Sequence, residues 1–166
     1  MVNKSIFLVL TGAALLFGYQ IWHADKTLKE YVKFESNRKD ELDIAGEMHI
    51  VKITDVPGMI AWLGPESTVK QDIDSARIDE ERAYAAVGRV VVPFTRNAVL
   101  RDCADELHYR RNESLQALKR LSADRQGTDD MANRFLKANR AYNDQRATCG
   151  LIADGYTLGS DGQWQK

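Results

Sequence analysis

Apolar residues are distributed in three regimes along the chain, the first of them continuous. Residues Ile6 to Trp22, IFLVLTGAALLFGYQIW, carry no charge, and Thr11 and Gln20 are their clearly polar side chains. At ~1.5 Å rise per residue the run reaches about 25 Å, within the range of a single spanning helix. It predicts a transmembrane anchor, with Ile6, Phe7, Leu8, Leu10, Leu15, Leu16 and Phe17 in lipid and Tyr19 and Trp22 at the interface, where amphipathic rings are favoured. A removed signal peptide needs small residues three and one before the cut, whereas Tyr19, Gln20, Ile21, Trp22 and His23 fill most of those slots. Residues 1–23 therefore read as an uncleaved signal anchor, ahead of a cleaved signal or a buried core helix. No Cys follows the run to carry a lipid.

The second regime is charged and helical. Residues 24–46 place Leu28, Val32, Glu35, Lys39 and Leu42 on one stripe that is only partly apolar, which predicts a juxtamembrane stalk helix ending at Gly46. Short β-branched runs follow. Met48–Thr54 and Arg89–Phe94 read as strands, the second confined to an edge by Pro93, and Gly58–Gly64 as a strand or an apolar turn. Between them Thr68 and Gln71 form a capping box. Val69, Ile73, Ala76, Ala83 and Val87 then repeat at spacings of 4, 3, 7 and 4 up to Gly88, which predicts an amphipathic helix with Asp72, Asp74 and Asp79–Glu81 on its solvated face.

The third regime is a mirror. Asn97–Arg125 and Asp129–Cys149 read as helices separated by Gln126, Gly127 and Thr128, where Gly stops one helix and Thr caps the next. Cys103 lies 23 residues before Gln126 and Cys149 lies 23 after it. In an antiparallel hairpin with equal rise on both arms those thiols meet, which predicts a Cys103–Cys149 disulfide within a hairpin spanning 97–149. The stripe agrees. Met131, Phe135, Ala138, Tyr142, Gln145 and Cys149 follow a coiled-coil rhythm, opposite Cys103, Leu107, Leu115, Leu118 and Leu121, with Arg111 interrupting the seam near Tyr142. The tail predicts a small terminal β-hairpin, Tyr156–Leu158 with Gln163–Gln165 around Gly159–Gly162.

Composition narrows the class. The 166 residues are 44% hydrophobic and 28% charged, with 23 basic and 24 acidic side chains, which fits one ordered domain and excludes collagenous or low-complexity designs. The fold class is thus α+β, mainly α: a single N-terminal transmembrane helix, then short strands and a stapled helical hairpin, with residues 47–166 as an extracytoplasmic domain. Charge divides along the chain. Residues 25–85 hold 9 basic and 14 acidic groups, residues 86–166 hold 13 and 10.

Candidate chemistry changes this picture little. His23, His49 and His108 have no ligand-spaced companions, so no metal or other cofactor is expected. Acids interspersed through the basic half argue against nucleic acid. None of Glu35, Glu47 or Glu66 has local context marking it as catalytic. Asn112-Glu113-Ser114 is a glycosylation sequon inside a predicted helix.

The body is expected outside the cytoplasm, periplasmic in a bacterium. The leading tail is short and the cysteine pattern suits an oxidising compartment, although Lys26, Lys29 and Lys33 beyond the span outnumber Lys4 before it. The expected role is binding rather than catalysis: an accessory subunit in the assembly of an envelope membrane complex. Its partners would be the membrane and a protein, with self-association possible. Met59, Ile60, Trp62 and Leu63, and the basic hairpin residues Arg110 and Arg111, are the docking candidates. Two alternatives share the architecture: a phage-type lysis accessory of the spanin kind, and a cell-wall-acting enzyme.

Overall fold

The computed structural model describes residues 4–38, 65–90, 95–123 and 128–166, with side chains for 12–38, 65, 68–90, 98–123 and 128–166. Helices dominate: α1 (Lys4–Asn37), α2 (Glu66–Val87), α3 (Thr95–Ala123) and α4 (Asp129–Ala153) are followed by a two-stranded antiparallel pair, β1 (Thr157–Leu158) and β2 (Trp164–Gln165). The expected strands over 48–54 and 58–64, and the docking candidates Met59, Ile60, Trp62 and Leu63, lie outside the described residues. So does most of the 89–94 strand, whose first residue, Arg89, sits instead in the turn that closes α2.

The hairpin forms as its register requires. Helices α3 and α4 run antiparallel, with the Cα atoms of Cys103 and Cys149 5.6 Å apart and the two sulfurs joined in a disulfide. Thr128 caps α4 by accepting a hydrogen bond from the Met131 backbone N–H, and Asp129 and Asp130 follow where the positive end of the helix dipole favours them. Gly155 ends α4 with φ +92° and Gly162 closes the terminal hairpin with φ +76°, a region that residues with a Cβ disfavour. Across that hairpin Thr157 pairs with Gln165 and Leu158 with the half-buried Trp164.

Two expectations are corrected. Helix α2 starts at Glu66, two residues before the proposed capping box. Pro65 is its N-cap at φ −59°, and its carbonyl accepts from the N–H groups of Thr68 and Val69, so the Thr68 side chain is not the cap. The stalk is not free-standing. Helix α1 runs unbroken out of the apolar segment, and from Ala24 onward one face of it, Ala24, Leu28, Tyr31, Val32 and Glu35, is buried against α2, α3 and α4. Apart from Glu35, its charged side chains from Asp25 to Lys33 are on the outer face, where Lys29 pairs with Asp25 at 3.0 Å.

The core consists of two apolar layers. Near the α3–α4 turn Val69, Ile73, Leu115, Leu118, Leu121, Ala132 and Phe135 pack together, with Met131 against them. At the opposite end Leu28, Val32, Val87, Leu100, Leu107, Tyr142 and the disulfide form the second layer, joined by Tyr31 and Ala153. Between the layers every helix contributes a buried polar residue: Glu35 from α1, Glu80 from α2, Arg111 and Ser114 from α3, Asn139 from α4. A polar layer in mid-bundle costs desolvation and is tolerable only when its members satisfy one another.

Candidate functional site

That layer centres on two carboxyl groups with no solvent exposure, Glu35 and Glu80. Tyr31 donates its hydroxyl proton to Glu80, and Tyr142 donates to Glu35. One Arg38 nitrogen bridges the acids, 3.1 Å from Glu35 Oε1 and 3.2 Å from Glu80 Oε2. His108 Nδ1 lies 2.9 Å from Glu80 Oε1, and Asn112 Nδ2 lies 3.2 Å from His108 Nε2. The assignment in which Asn112 donates to the ring and the ring N–H donates to Glu80 satisfies both contacts. Tyr84 stacks on His108 with centroids 3.9 Å apart, and its hydroxyl donates to Asp105.

The two acids hold their protons differently. Burial, the neighbouring charge and the hydrogen bond of Glu80 push the Glu35 carboxyl up to about 8, against weaker opposition from Arg38 and Tyr142. Burial would raise Glu80 as well, but hydrogen bonds from His108, Glu35 and Tyr31 outweigh it and hold this carboxyl below its ordinary value. Burial and both carboxylates push the Tyr31 hydroxyl far up, so it stays a donor. At neutral pH the pair carries one shared proton, Glu35 protonated and Glu80 ionised beside Arg38, and that trio has no net charge. Such neutrality is what a dry mid-bundle site needs.

Arginines from other helices close the ends of α1 and α2, neither of which has a basic residue in its own last turn. Arg146 of α4 donates to the carbonyls of Ser36, at 3.4 Å, and Arg38. Arg101 of α3 donates to the carbonyls of Val87, at 2.7 Å, and Val90, and is fixed by Asp105. A cation at a helix C-terminus opposes the negative end of its dipole.

The docking candidates separate here. Arg110 is on the surface, paired with Glu106 at 2.7 Å and Glu113 at 3.3 Å. Arg111 is fully buried, its guanidinium 5.2 Å from the centroid of the Tyr142 ring, so it cannot meet a partner. The interruption it makes in the α3 stripe falls on the core face, which is why it is inside. Glu80 is the opposite miss: expected on a solvated face, it is core, while its neighbours Asp79 and Glu81 are exposed. The signal was present in the spacing. Ala76 to Ala83 is a gap of seven, and position 80 fills it in the 4, 3, 4, 3 rhythm from Val69 to Val87. Asn112 of the sequon is in mid-α3 and half-buried against His108.

A second feature is at the other end of the molecule. Every residue of α1 from Ala13 to Gln20 is exposed, including Leu15 at 71%, Leu16 at 67% and Phe17 at 49%, followed by Trp22 at 57%. Among the described residues no helix is long and apolar enough to cross a membrane. Side chains before Gly12 are not among those described, so the lipid placement expected for Ile6, Phe7, Leu8 and Leu10 lies outside what the structure describes. No group of histidine, cysteine or acidic side chains that could hold a metal occurs among the described residues.

No protein family, curated protein or solved structure matches this chain.

Proposed function

We propose that the protein is a single-pass membrane-anchored adaptor: a disulfide-stapled helical body held at an extracytoplasmic membrane surface by the apolar half of α1, with a structural role in an envelope assembly. The observation that carries this reading is the all-round exposure of Ala13–Gln20. Eight successive helical residues turn through about two full circles, so Leu15, Leu16, Phe17 and Tyr19, together with Ala13 and Ala14, leave apolar surface all round the helix. A partner helix would cover one face; a lipid phase covers all of them. The described apolar helix from Gly12 to Trp22 reaches only about 16 Å at ~1.5 Å per residue, and Ile6–Thr11 extend it to about 25 Å. Tyr19 and Trp22 then mark the interface, with the Lys26 ammonium 5.3 Å from the Trp22 ring on the aqueous side. The closed disulfide supports an oxidising compartment for the body. For docking, the reading retains Met59, Ile60, Trp62 and Leu63, on their sequence, and the surface cation Arg110, to which the structure adds the exposed hairpin cations Arg120 and Lys137.

The test is membrane fractionation of the full-length protein after alkaline carbonate washing. The native chain is expected in the pellet. Leu15→Arg with Leu16→Arg places two cations near mid-span, each costing roughly 3 kcal/mol there, and should move the protein to the supernatant with its disulfide intact. Native protein in the supernatant would end the reading. Thiols that alkylate without prior reduction would place the body in a reducing compartment.

A further inference from the structure

Where α1 leaves the body, a cleft of about 560 Å³ opens between α1 and the C-terminal end of α2. Its composition changes along the α1 axis. Toward the N-terminus the wall is Phe17 and Ile21, continued by Ala24 and Val90; beside these stand His23 and Arg89, and none of the lining residues is acidic. Arg89 is exposed in the turn after α2 and makes no ion pair among the described residues. If Trp22 marks the edge of the hydrocarbon, Phe17 is about 7 Å inside it at ~1.5 Å per residue, Ile21 is at its border, and His23, with Arg89 in the same cleft, is on the headgroup side. The same cleft therefore turns Phe17 and Ile21, with Tyr19 and Gln20 beside them, toward the lipid tails, and the cation Arg89 with His23 toward the headgroups.

We propose that this cleft binds one anionic phospholipid of the surrounding bilayer, its acyl chain against Phe17, Ile21 and Val90 and its phosphate on Arg89 and His23. The proposal rests on the membrane-anchored reading above. Two features favour a bilayer lipid over free phosphate. The apolar walls contribute nothing to an inorganic ion, and a lone exposed guanidinium with an imidazole gives free phosphate little to hold in water. A lipid already concentrated in the membrane plane needs only a modest preference to occupy the site. One Arg near an anionic headgroup contributes enough for about a fivefold preference over a zwitterionic lipid.

The experiment is native mass spectrometry of full-length protein released from vesicles of equal phosphatidylglycerol and phosphatidylcholine, with carbonate-resistant insertion measured in parallel. The native protein is expected to retain one phosphatidylglycerol about fivefold more often than phosphatidylcholine. Arg89→Ala with His23→Ala should bring the ratio to about one while insertion is unchanged, and Arg89→Lys should keep most of the bias. Equal retention of the two lipids by native protein, or a bias that survives the double substitution, overturns the proposal while the anchor reading stands. Displacement of the lipid by millimolar inorganic phosphate assigns the cleft to the free ion and also overturns it. Absence of insertion in either lipid overturns the anchor reading itself, and this proposal with it.

Discussion

A glutamic acid in the middle of a helix bundle is a thermodynamic statement about protons. With Glu35 raised and Glu80 lowered from a common value of 4.5, the folded state takes up a proton at one acid and gives one up at the other. The signs differ accordingly. Between about 4.5 and about 8 the unfolded chain has released the Glu35 proton and the folded chain has kept it, so stability falls as pH rises through that window and levels off above it. Glu80 contributes stability that is present above its unfolded value and is lost as pH falls through its folded value. The protein is therefore expected to be most stable near pH 5 and to lose roughly 5 °C or more of Tm by pH 8, measured by calorimetry in matched ionic strength. Glu35→Gln keeps the shape and the donor to Glu80 but cannot ionise, so its Tm should stay flat over the same window. A native Tm that climbs from pH 5 to 8, or a Gln variant that declines in parallel, would show that the proton is held elsewhere. Glu80→Gln is the contrasting change: it strands Arg38 beside a neutral pair and should destabilise by about 3 kcal/mol at all neutral pH values.

Among the elements, the hairpin was the part most legible in the chain, because two independent periodicities had to agree. The apolar stripe of α4 set which face packs, and the equal distances of Cys103 and Cys149 from the turn set the register. The buried acids were illegible for a related reason. Periodicity arguments look for apolar side chains, so Glu80 and Arg111 read as breaks in a stripe when they are members of it. What makes the buried acids tolerable, Tyr31 reaching Glu80 from 49 residues away and Tyr142 reaching Glu35 from 107, is long-range pairing that no local spacing encodes. The burial of the stalk is hidden likewise, since a stripe with Glu35 in it reads as too polar for core. The staple itself allows a quantitative test. Closing a 46-residue loop stabilises by about 4 kcal/mol in the chain-entropy model, so Cys103→Ala with Cys149→Ala should lower Tm by about 10 °C while leaving the helical circular dichroism unchanged. No shift in Tm would mean that the bond is not closed in the native protein.

For the whole molecule, the division of α1 decides what can be separated from what. Ala24 is the first buried residue on that helix among those whose side chains are described; from there Leu28, Tyr31, Val32 and Glu35 complete both the second apolar layer and the polar layer. The helix thus divides near Trp22: its body half, which supplies those buried residues, is expected to be needed for folding, and its apolar half, exposed from Ala13 to Gln20, is not. A chain of residues 24–166 retains every buried residue among those described, the disulfide, the carboxyl pair and both arginine caps. It is expected to be monomeric in detergent-free buffer by light scattering, with a Tm within about 3 °C of the full-length protein in detergent. A chain of residues 39–166 lacks Glu35, Tyr31 and Arg38 together, exposes Leu100 and Leu107 to water, and leaves Glu80 without three of its partners. It should unfold or aggregate. Equal stability of the two truncations would mean that α1 is only attached to the body, and the polar layer would then have to be satisfied without it.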